Sequence, residues 1–149
     1  MSVKDVIISD LDGTIALDDH RAEKYLRKGG VRDWDGYYSA VEEDEPNMAV
    51  IDLLQTYGRR HVQIWIMSGR IERTRASTLK WLRKFEVPFT HLILRPDDCR
   101  EQDTTMKVGW AREEGILPRT IFVLEDRARV VEAWRAAGVS CFQVAVGNF

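Results

Sequence analysis

The sequence predicts a doubly wound α/β fold, in which a parallel sheet of about five strands carries helices on both faces. Short apolar runs of strand length alternate along the chain with longer stretches of helical periodicity, which is typical of parallel sheets with right-handed crossover helices. Glycine or proline stands at most boundaries between these runs. A length of 149 residues with 44% hydrophobic content fits one domain spanning residues 1–149.

The first predicted strand begins at Val6 and runs into two aspartates, Asp10 and Asp12. Residues 18–45 are polar with short helical pieces, which predicts a small helical insertion near the carboxyl end of that strand. Pro46 suits the first turn of a helix, and helical periodicity then continues until Gly58 ends it. Because the insertion is too short to form a large cap domain, we expect an open site.

The rest of the chain repeats the alternation of strand and helix, and glycine or proline follows each helical stretch. The predicted strands cover residues 62–67, 91–94, 120–124 and 140–144, and the predicted helices cover residues 72–85, 104–114 and a segment after residue 126 that ends at Gly138. In a doubly wound sheet the first strand is central and lies beside the fourth at the switch point. We therefore expect Asp10 and Asp126, which follow these two strands, to face each other.

Charge and cysteine content bear on the class of protein. The 22 basic and 24 acidic residues leave a net charge of -2, which gives no overall attraction to nucleic acid or to membranes. The two cysteines form no metal-binding or redox motif, and no apolar run has the length of a secretion signal or membrane span. We therefore expect a soluble, cytoplasmic protein. The acidic run at residues 42–45 is predicted to end a helix or line a solvated loop.

The most informative motif is Asp10-Leu11-Asp12-Gly13-Thr14, at the carboxyl end of the first predicted strand. Open α/β sheets bind their ligands at this edge. Asp10 is ionised at neutral pH, so it can attack a phosphoryl group without a partner base, and Asp12 can protonate the leaving oxygen and then activate water. Asp-Gly is also a common turn dipeptide, so the motif alone also fits an ordinary loop.

Three later motifs complete a site that could bind phosphate: Ser68-Gly69, Lys107 and Glu125-Asp126. Ser68 can donate a hydrogen bond to a phosphoryl oxygen, and Lys107 can supply a fixed positive charge. Carboxylates beside a phosphate require a cation, and hard oxygen ligands suit Mg²⁺; we assign it to Asp10, Asp126 and the main-chain carbonyl of Asp12. Taken singly, Ser68-Gly69 equally fits a turn, Lys107 a solvated helix residue, and Glu125-Asp126 a helix cap. Their order along the chain favours the site.

These motifs resemble, in order and over nearly the whole chain, the four motifs of the haloacid dehalogenase (HAD) superfamily of phosphohydrolases. A closer resemblance is to the 3'-phosphatase domain of bacteriophage polynucleotide kinase-phosphatases. It is carried by Ser68-Gly69-Arg70, Asp103 with Lys107 four residues later, and Glu125-Asp126-Arg127. Glu125 stands where that family has an aspartate.

The resemblance implies a HAD-type fold and further site residues. It implies that Arg21 and Arg70 contact the substrate phosphate, and that Thr14 and Gly69 also contact the substrate. It also implies that Asp103 holds Lys107 and that Glu125 stands behind the metal ligands. No P-loop motif of a nucleoside triphosphate kinase occurs in the sequence.

The function that these patterns favour is a Mg²⁺-dependent phosphomonoesterase that forms an aspartyl-phosphate and acts on a nucleic-acid 3'-end or a nucleotide. A phosphatase for small molecules, such as sugar phosphates or nucleotides, is the main alternative. A phospho-accepting module without turnover is a further one, disfavoured because the acid Asp12 directly follows the nucleophile. The aromatic group Trp34, Tyr37 and Tyr38 could stack a terminal base or could pack the insertion onto the body. The acidic run at residues 42–45 favours a substrate held by its end over a long polynucleotide track.

Overall fold

Seven strands form two sheets in the computed structural model, which describes residues 3–148. In chain order they are β1 (Val6–Ser9), β2 (Ala16–Leu17), β3 (Glu45–Pro46), β4 (Gln63–Ile71), β5 (His91–Arg95), β6 (Thr120–Glu125) and β7 (Cys141–Gln143). Five of them make a parallel sheet in the order β5-β4-β1-β6-β7. The prediction that the first strand is central is confirmed, because β1 pairs with both β4 and β6. β6 is the fourth strand predicted from the sequence, so the predicted neighbour is also confirmed.

Helices connect the strands and cover both faces of the sheet. They are α1 (Asp19–Arg21), α2 (Trp34–Ser39), α3 (Met48–Gly58), α4 (Arg75–Lys84), α5 (Asp103–Glu113) and α6 (Ala128–Ala136), with a π-helical turn at Ala22–Arg27 and short 3-10 turns elsewhere. Within residues 3–148, no helix has the length and apolar character that crossing a bilayer requires.

Alternation along the central strands divides the core into two layers. Ile7 and Ile66 belong to one buried cluster, which includes residues of α3 and α4. Ile8 and Met67 belong to the other, which includes residues of α5 and α6. Because successive side chains of a strand point to opposite faces, a strand that is apolar at every position is buried on both. The predicted fold class is therefore confirmed.

Two predicted boundaries were wrong near the insertion and the second long strand. Pro46 is not in a helix: it pairs with Ala16 in the small antiparallel sheet, and α3 begins two residues later. The strand predicted to end at Met67 continues to Ile71, with irregular pairing to β5 after Ser68. Ser68-Gly69-Arg70 is therefore part of a strand end and not of a following turn.

The insertion at residues 18–45 leaves the body and returns to it at one place. Its ends are joined where Leu17 of β2 pairs with Glu45 of β3. Its last residues are fixed to the body because the indole nitrogen of Trp81, in α4, donates to the main-chain oxygen of Asp44 at 2.8 Å. This closure places the helical insertion beside the loop that carries the first two aspartates.

The layer under α3 contributes fully buried side chains to the core. Leu54→Ala removes a fully buried side chain from this layer and should lower the free energy of unfolding by about 2–5 kcal/mol, measured by urea denaturation. Leu53→Ala, at the neighbouring and 37% exposed position, is the matched control and should cost about 1 kcal/mol or less. Equal losses for the two variants would contradict this packing.

Candidate active site

The site begins where β1 ends in a tight loop. The Asp10 amide donates to the Leu124 carbonyl at 2.9 Å, so Asp10 continues the pairing with β6. Gly13 then adopts a φ of +80°, and a Cβ there would collide with the carboxylate of Asp126. Glycine is needed at this point both for its backbone conformation and for the close approach of Asp126. The expectation that Asp10 and Asp126 lie together is confirmed.

A buried lysine links the two acidic motifs. Lys107 comes from α5, and its Nζ lies 2.6 Å from Asp10 Oδ1 and 2.9 Å from Glu125 Oε2. All three side chains are 5% exposed or less. The main-chain amides of Asp126 and Arg127 donate to the other oxygen of Glu125, at 3.1 and 3.3 Å. Glu125 is thereby fixed at both oxygens, and one of them holds the lysine.

Asp10, Glu125 and Asp126 form a cluster that fits a divalent cation. Each offers a carboxylate oxygen, and these oxygens all lie within 4.8 Å of one another. All three residues are buried, so their mutual repulsion is only weakly screened by water. One ammonium group, that of Lys107, faces three carboxylates. Hard oxygen donors with an excess of negative charge are the set that Mg²⁺ prefers.

The electrostatics of the cluster are consistent with such a cation. Burial, and then the charge of Glu125, raises the pKa of Asp10 well above its ordinary value despite Lys107. Burial and Glu125 likewise raise the pKa of Asp126 to about 7. Burial also acts on Glu125, but there Lys107 outweighs it and lowers the pKa. Of the three acids in the cluster, Asp10 and Asp126 are thus the two whose negative charge the protein compensates least.

Asp12 lies apart from this cluster, between two arginines. Its Oδ1 accepts from Arg21 Nη2 at 2.7 Å and from Arg70 Nε and Nη2 at 2.9 and 2.7 Å. Its Oδ2 receives no hydrogen bond from residues 3–148, and the side chain is 20% exposed. Burial alone would raise the pKa of Asp12, but the guanidinium groups of Arg70 and Arg21 bring it below the ordinary value.

The two arginines share a second carboxylate that the sequence did not reveal. Asp44 is fully buried and accepts from Arg21 at 2.6 and 2.7 Å, from Arg70 at 2.9 Å, and is paired with His20 at 2.8 Å. The prediction of a solvated run at residues 42–45 is therefore wrong at its third position. Neither the residue type nor its acidic neighbours distinguish Asp44 in the sequence. The only signal would have been the burial of Arg21 and Arg70, because two buried guanidinium charges need carboxylate partners.

Every nitrogen of the two guanidinium groups already donates within the protein. Arg21 Nη1 donates to the Tyr37 carbonyl, and Arg70 Nη1 donates to Thr78 Oγ1; the other nitrogens are bonded to Asp12 and Asp44. Both side chains are fully buried. Their expected contact with a substrate phosphate stays a prediction.

The prediction that Asp103 holds Lys107 is wrong. The Asp103 carboxylate instead pairs with Arg95 and with Arg127, the latter at 2.7 Å. The physical reason is position: the Lys107 ammonium group contacts Asp10 and Glu125, at the ends of the two central strands. Asp103 lies at the start of α5 beside Gly69. A Cβ on Gly69 would lie 3.1 Å from Asp103 Oδ2, so this glycine allows β4 and α5 to approach.

Two buried hydroxyl groups belong to the predicted site. Ser68 is fully buried, and its Oγ accepts from the Arg70 amide at 3.1 Å, which leaves its proton for another acceptor. Thr14 Oγ1 lies 3.3 Å from Asp10 Oδ2 and 3.4 Å from Asp126 Oδ1. The predicted phosphoryl contact of Ser68 and the predicted substrate contacts of Thr14 and Gly69 stay predictions.

The aromatic residues of the insertion pack mostly among themselves. Tyr37 is buried, donates to Asp18 at 2.6 Å and has the Arg21 guanidinium 4.2 Å from its ring centre. Trp34 is 45% exposed and stacks on Tyr38 at 6.0 Å. For Tyr37 the packing alternative holds.

Known proteins resemble this chain in sequence. A family model described as the polynucleotide kinase PNKP phosphatase domain matches residues 4–149. A protein of Autographa californica nuclear polyhedrosis virus, provisionally named a bifunctional polynucleotide kinase/RNA ligase, is 29% identical over 133 residues. That match covers 87% of this chain but only 17% of the viral protein.

Solved structures give the same picture. Two chains from structures of the Pnkp1/Rnl/Hen1 RNA repair complex superpose with a TM-score of 0.80 at 27% and 29% identity, over 99% of this chain and 44% and 48% of theirs. A class C acid phosphatase of Bacillus anthracis with bound tungstate superposes with a TM-score of 0.70 at 21% identity, over 99% of this chain and 68% of its own, which supports the fold alone.

This chain therefore spans less than half the length of the polynucleotide-processing relatives that it matches. Because the family model covers nearly all of it, the chain belongs to the family of polynucleotide kinase PNKP phosphatase domains, which are phosphatases of the HAD superfamily.

Proposed function

We propose that this domain is a Mg²⁺-dependent phosphomonoesterase that removes 3'-phosphates from nucleic-acid ends through an aspartyl-phosphate on Asp10. One observation carries the proposal. Two carboxylates that are two residues apart stand in opposite surroundings: Asp10 faces a buried lysine and two acids, whereas Asp12 is held by two arginines. Paired carboxylates in contrasting environments are typical of a division between nucleophile and acid–base catalyst.

In the first step, a carboxylate oxygen of Asp10 attacks phosphorus and the ester P–O bond breaks. Lys107, 2.6 Å from Asp10, orients the nucleophile and offsets the charge that gathers as the phosphate approaches. The Ser68 hydroxyl proton is available to donate to a phosphoryl oxygen. Asp12 gives its proton to the leaving oxygen through Oδ2, the oxygen that no protein donor occupies.

Asp12 needs a proton for this step, although its neighbours favour the charged form. A phosphate dianion beside it adds negative charge, which raises the pKa of an adjacent carboxyl group. Proton uptake is therefore coupled to substrate binding. In the second step, Asp12 takes a proton from water, the water oxygen attacks phosphorus, and the acyl-phosphate bond breaks to return the Asp10 carboxylate.

Magnesium would be held by the carboxylates of Asp10 and Asp126 and by the main-chain carbonyl of Asp12, with Glu125 fixing Lys107 behind them. When bound, the ion supplies positive charge next to the phosphoryl oxygens. The protein provides the surroundings that make this charge effective, since Asp10, Glu125 and Asp126 are nearly free of contact with bulk water.

The substrate class is supported by the family and by the shape of the insertion. The relatives' names refer to polynucleotide kinase and to RNA repair, and the family model names a polynucleotide kinase phosphatase domain. The insertion is short, and Asp12 keeps 20% of its side chain exposed, so a macromolecular end can reach the acid. The acids flanking Asp44 are exposed, which disfavours a long phosphate backbone across the insertion.

A substrate panel tests the proposal. With Mg²⁺, the protein should release phosphate from a 3'-phosphorylated oligonucleotide with a kcat/KM at least about 10-fold above that for nucleoside 5'-monophosphates or sugar phosphates, because binding energy from the neighbouring nucleotides adds to that of the phosphate. Asp10→Asn should release none, whereas the exposed control Asp52→Asn should behave as wild type.

Preference for a nucleotide or a sugar phosphate over the oligonucleotide would identify a small-molecule phosphatase instead. Release that persists at the wild-type rate in Asp10→Asn would show that Asp10 is not the nucleophile. Absence of release from every phosphomonoester, with a stable protein-bound phosphate, would identify a phospho-accepting module.

Metal binding separates the roles of the acids. Asp126→Asn should weaken Mg²⁺ binding by at least about 10-fold in calorimetric titration, because it removes a charged ligand. Asp12→Asn is the matched control: it keeps the main-chain carbonyl, so Mg²⁺ affinity should stay nearly unchanged while activity falls by about 10²- to 10⁴-fold. Unchanged affinity in Asp126→Asn would remove Asp126 from the metal site.

A further inference from the structure

Four charged side chains form a buried network that joins the insertion to the catalytic loop. Asp12 and Asp44 supply the negative charges, and Arg21 and Arg70 supply the positive ones. Each arginine contacts both aspartates at 2.6–2.9 Å. Apart from Asp12, these side chains have no exposed surface. Charges buried to this extent are tolerated only when each has a partner of opposite sign.

Asp44 holds the same two arginines that contact Asp12, and Nη2 of each arginine donates to both carboxylates. Its two oxygens accept Arg21 Nε and Nη2 in the paired, parallel geometry that matches a carboxylate to a guanidinium. Oδ2 also accepts Arg70 Nη2 at 2.9 Å. Asp44 is itself anchored, because its carbonyl accepts the Trp81 indole N–H at 2.8 Å. The guanidinium groups are thus fixed by a residue that belongs to the insertion but is attached to the body.

The fixed guanidinium groups act on one oxygen of Asp12. All three of their hydrogen bonds to Asp12 reach Oδ1, which sets the plane of the carboxylate and leaves Oδ2 facing away from them. An acid catalyst must present a defined oxygen to the leaving group within about 2.6–3.2 Å. A carboxylate that could rotate about its Cβ–Cγ bond would spend part of its time with neither oxygen aimed at the leaving group.

We propose that Asp44 is a positioning residue for the acid–base step: through Arg21 and Arg70 it orients Asp12 so that Oδ2 meets the leaving oxygen. This inference rests on the proposed function, in which Asp12 protonates the leaving group. It gives the arginines a different part from the predicted phosphate contact, since their positive charge is balanced by Asp12 and Asp44 before any substrate binds.

The two roles considered for the arginines, orienting Asp12 or binding phosphate, predict opposite results for Asp44→Asn. If Asp44 orients Asp12, its loss should slow cleavage of esters whose leaving group needs a proton. If Asp44 only restrains arginines that bind phosphate, its loss should free positive charge and lower the KM for every phosphomonoester, with little change in kcat. If Asp44 only stabilises the fold, all substrates should lose activity by the same factor.

The test compares two leaving groups under kcat/KM conditions, which report only the steps up to leaving-group release. p-Nitrophenyl phosphate releases a stable phenolate without a proton, whereas the 3'-phosphorylated oligonucleotide, or a simple alkyl phosphate if the oligonucleotide is inert, releases an alkoxide that needs one. We expect Asp44→Asn to lower kcat/KM for the alkyl ester about 10- to 100-fold more than for the aryl ester.

Three further variants keep the test decisive. Glu43→Gln alters the exposed acid next to Asp44 and should leave both substrates unchanged. Asp44→Glu retains the charge but displaces it by one methylene, so it should show a smaller loss with the same substrate dependence; it replaces Asp44→Asn if that variant does not fold. In an Asp12→Asn background, Asp44→Asn should cause no further substrate-dependent loss.

Equal losses on both esters, or a lower KM at unchanged kcat, would overturn the positioning role of Asp44. These outcomes are distinct from failure of the proposed function, which is read from Asp10→Asn and from the substrate panel. Circular dichroism and thermal unfolding of each variant show whether the native fold persists under the assay conditions.

Discussion

The site depends on the contact between Lys107 and Asp10, whose side chains are both buried and therefore only weakly screened by water. The Lys107 ammonium group lies within hydrogen-bond distance of Asp10, which follows β1, and of Glu125, which ends β6. Asp126 adds a third acid, and the carboxylate oxygens of the three acids lie within 4.8 Å of one another. This arrangement holds more negative than positive charge, so it favours cations and disfavours a phosphate dianion until a cation is bound. Sheet topology creates it, because adjacent parallel strands end at the same edge.

The surroundings of Asp10 and Asp12 show how one short loop can hold two carboxylates with different chemistry. Gly13, at a φ of +80°, turns the chain so sharply that Asp126 packs directly over it. Asp10 remains in line with β1 and faces the strands, whereas Asp12 faces Arg21 of the insertion and Arg70 of β4. The body therefore controls the nucleophile, and the insertion and β4 together control the acid–base residue.

The sequence predicted those parts of the site that follow from strand order. Asp10 and Asp126 directly follow predicted strands, and Lys107 lies in the first half of a predicted helix. Hydrophobic periodicity identifies such elements even where their exact ends shift. It could not predict Asp44, because the burial of a charged residue depends on the arginines that meet it in space and not on its neighbours in the chain. The wrong partner predicted for Lys107 has the same cause. Asp103 precedes Lys107 by one helical turn in the sequence, yet Glu125, at the end of β6, is closer in space.

Turnover by the proposed mechanism requires that Asp10 carries the phosphoryl group between the two steps. Rapid acid quench of Asp12→Asn with p-nitrophenyl phosphate detects this intermediate, because the leaving group needs no acid while hydrolysis of the intermediate lacks its base. We expect a burst of p-nitrophenol equal to the enzyme concentration, and a phosphoryl group that peptide mass spectrometry locates on Asp10. Steady turnover without a burst, and with no phosphoryl group on the protein, would contradict it.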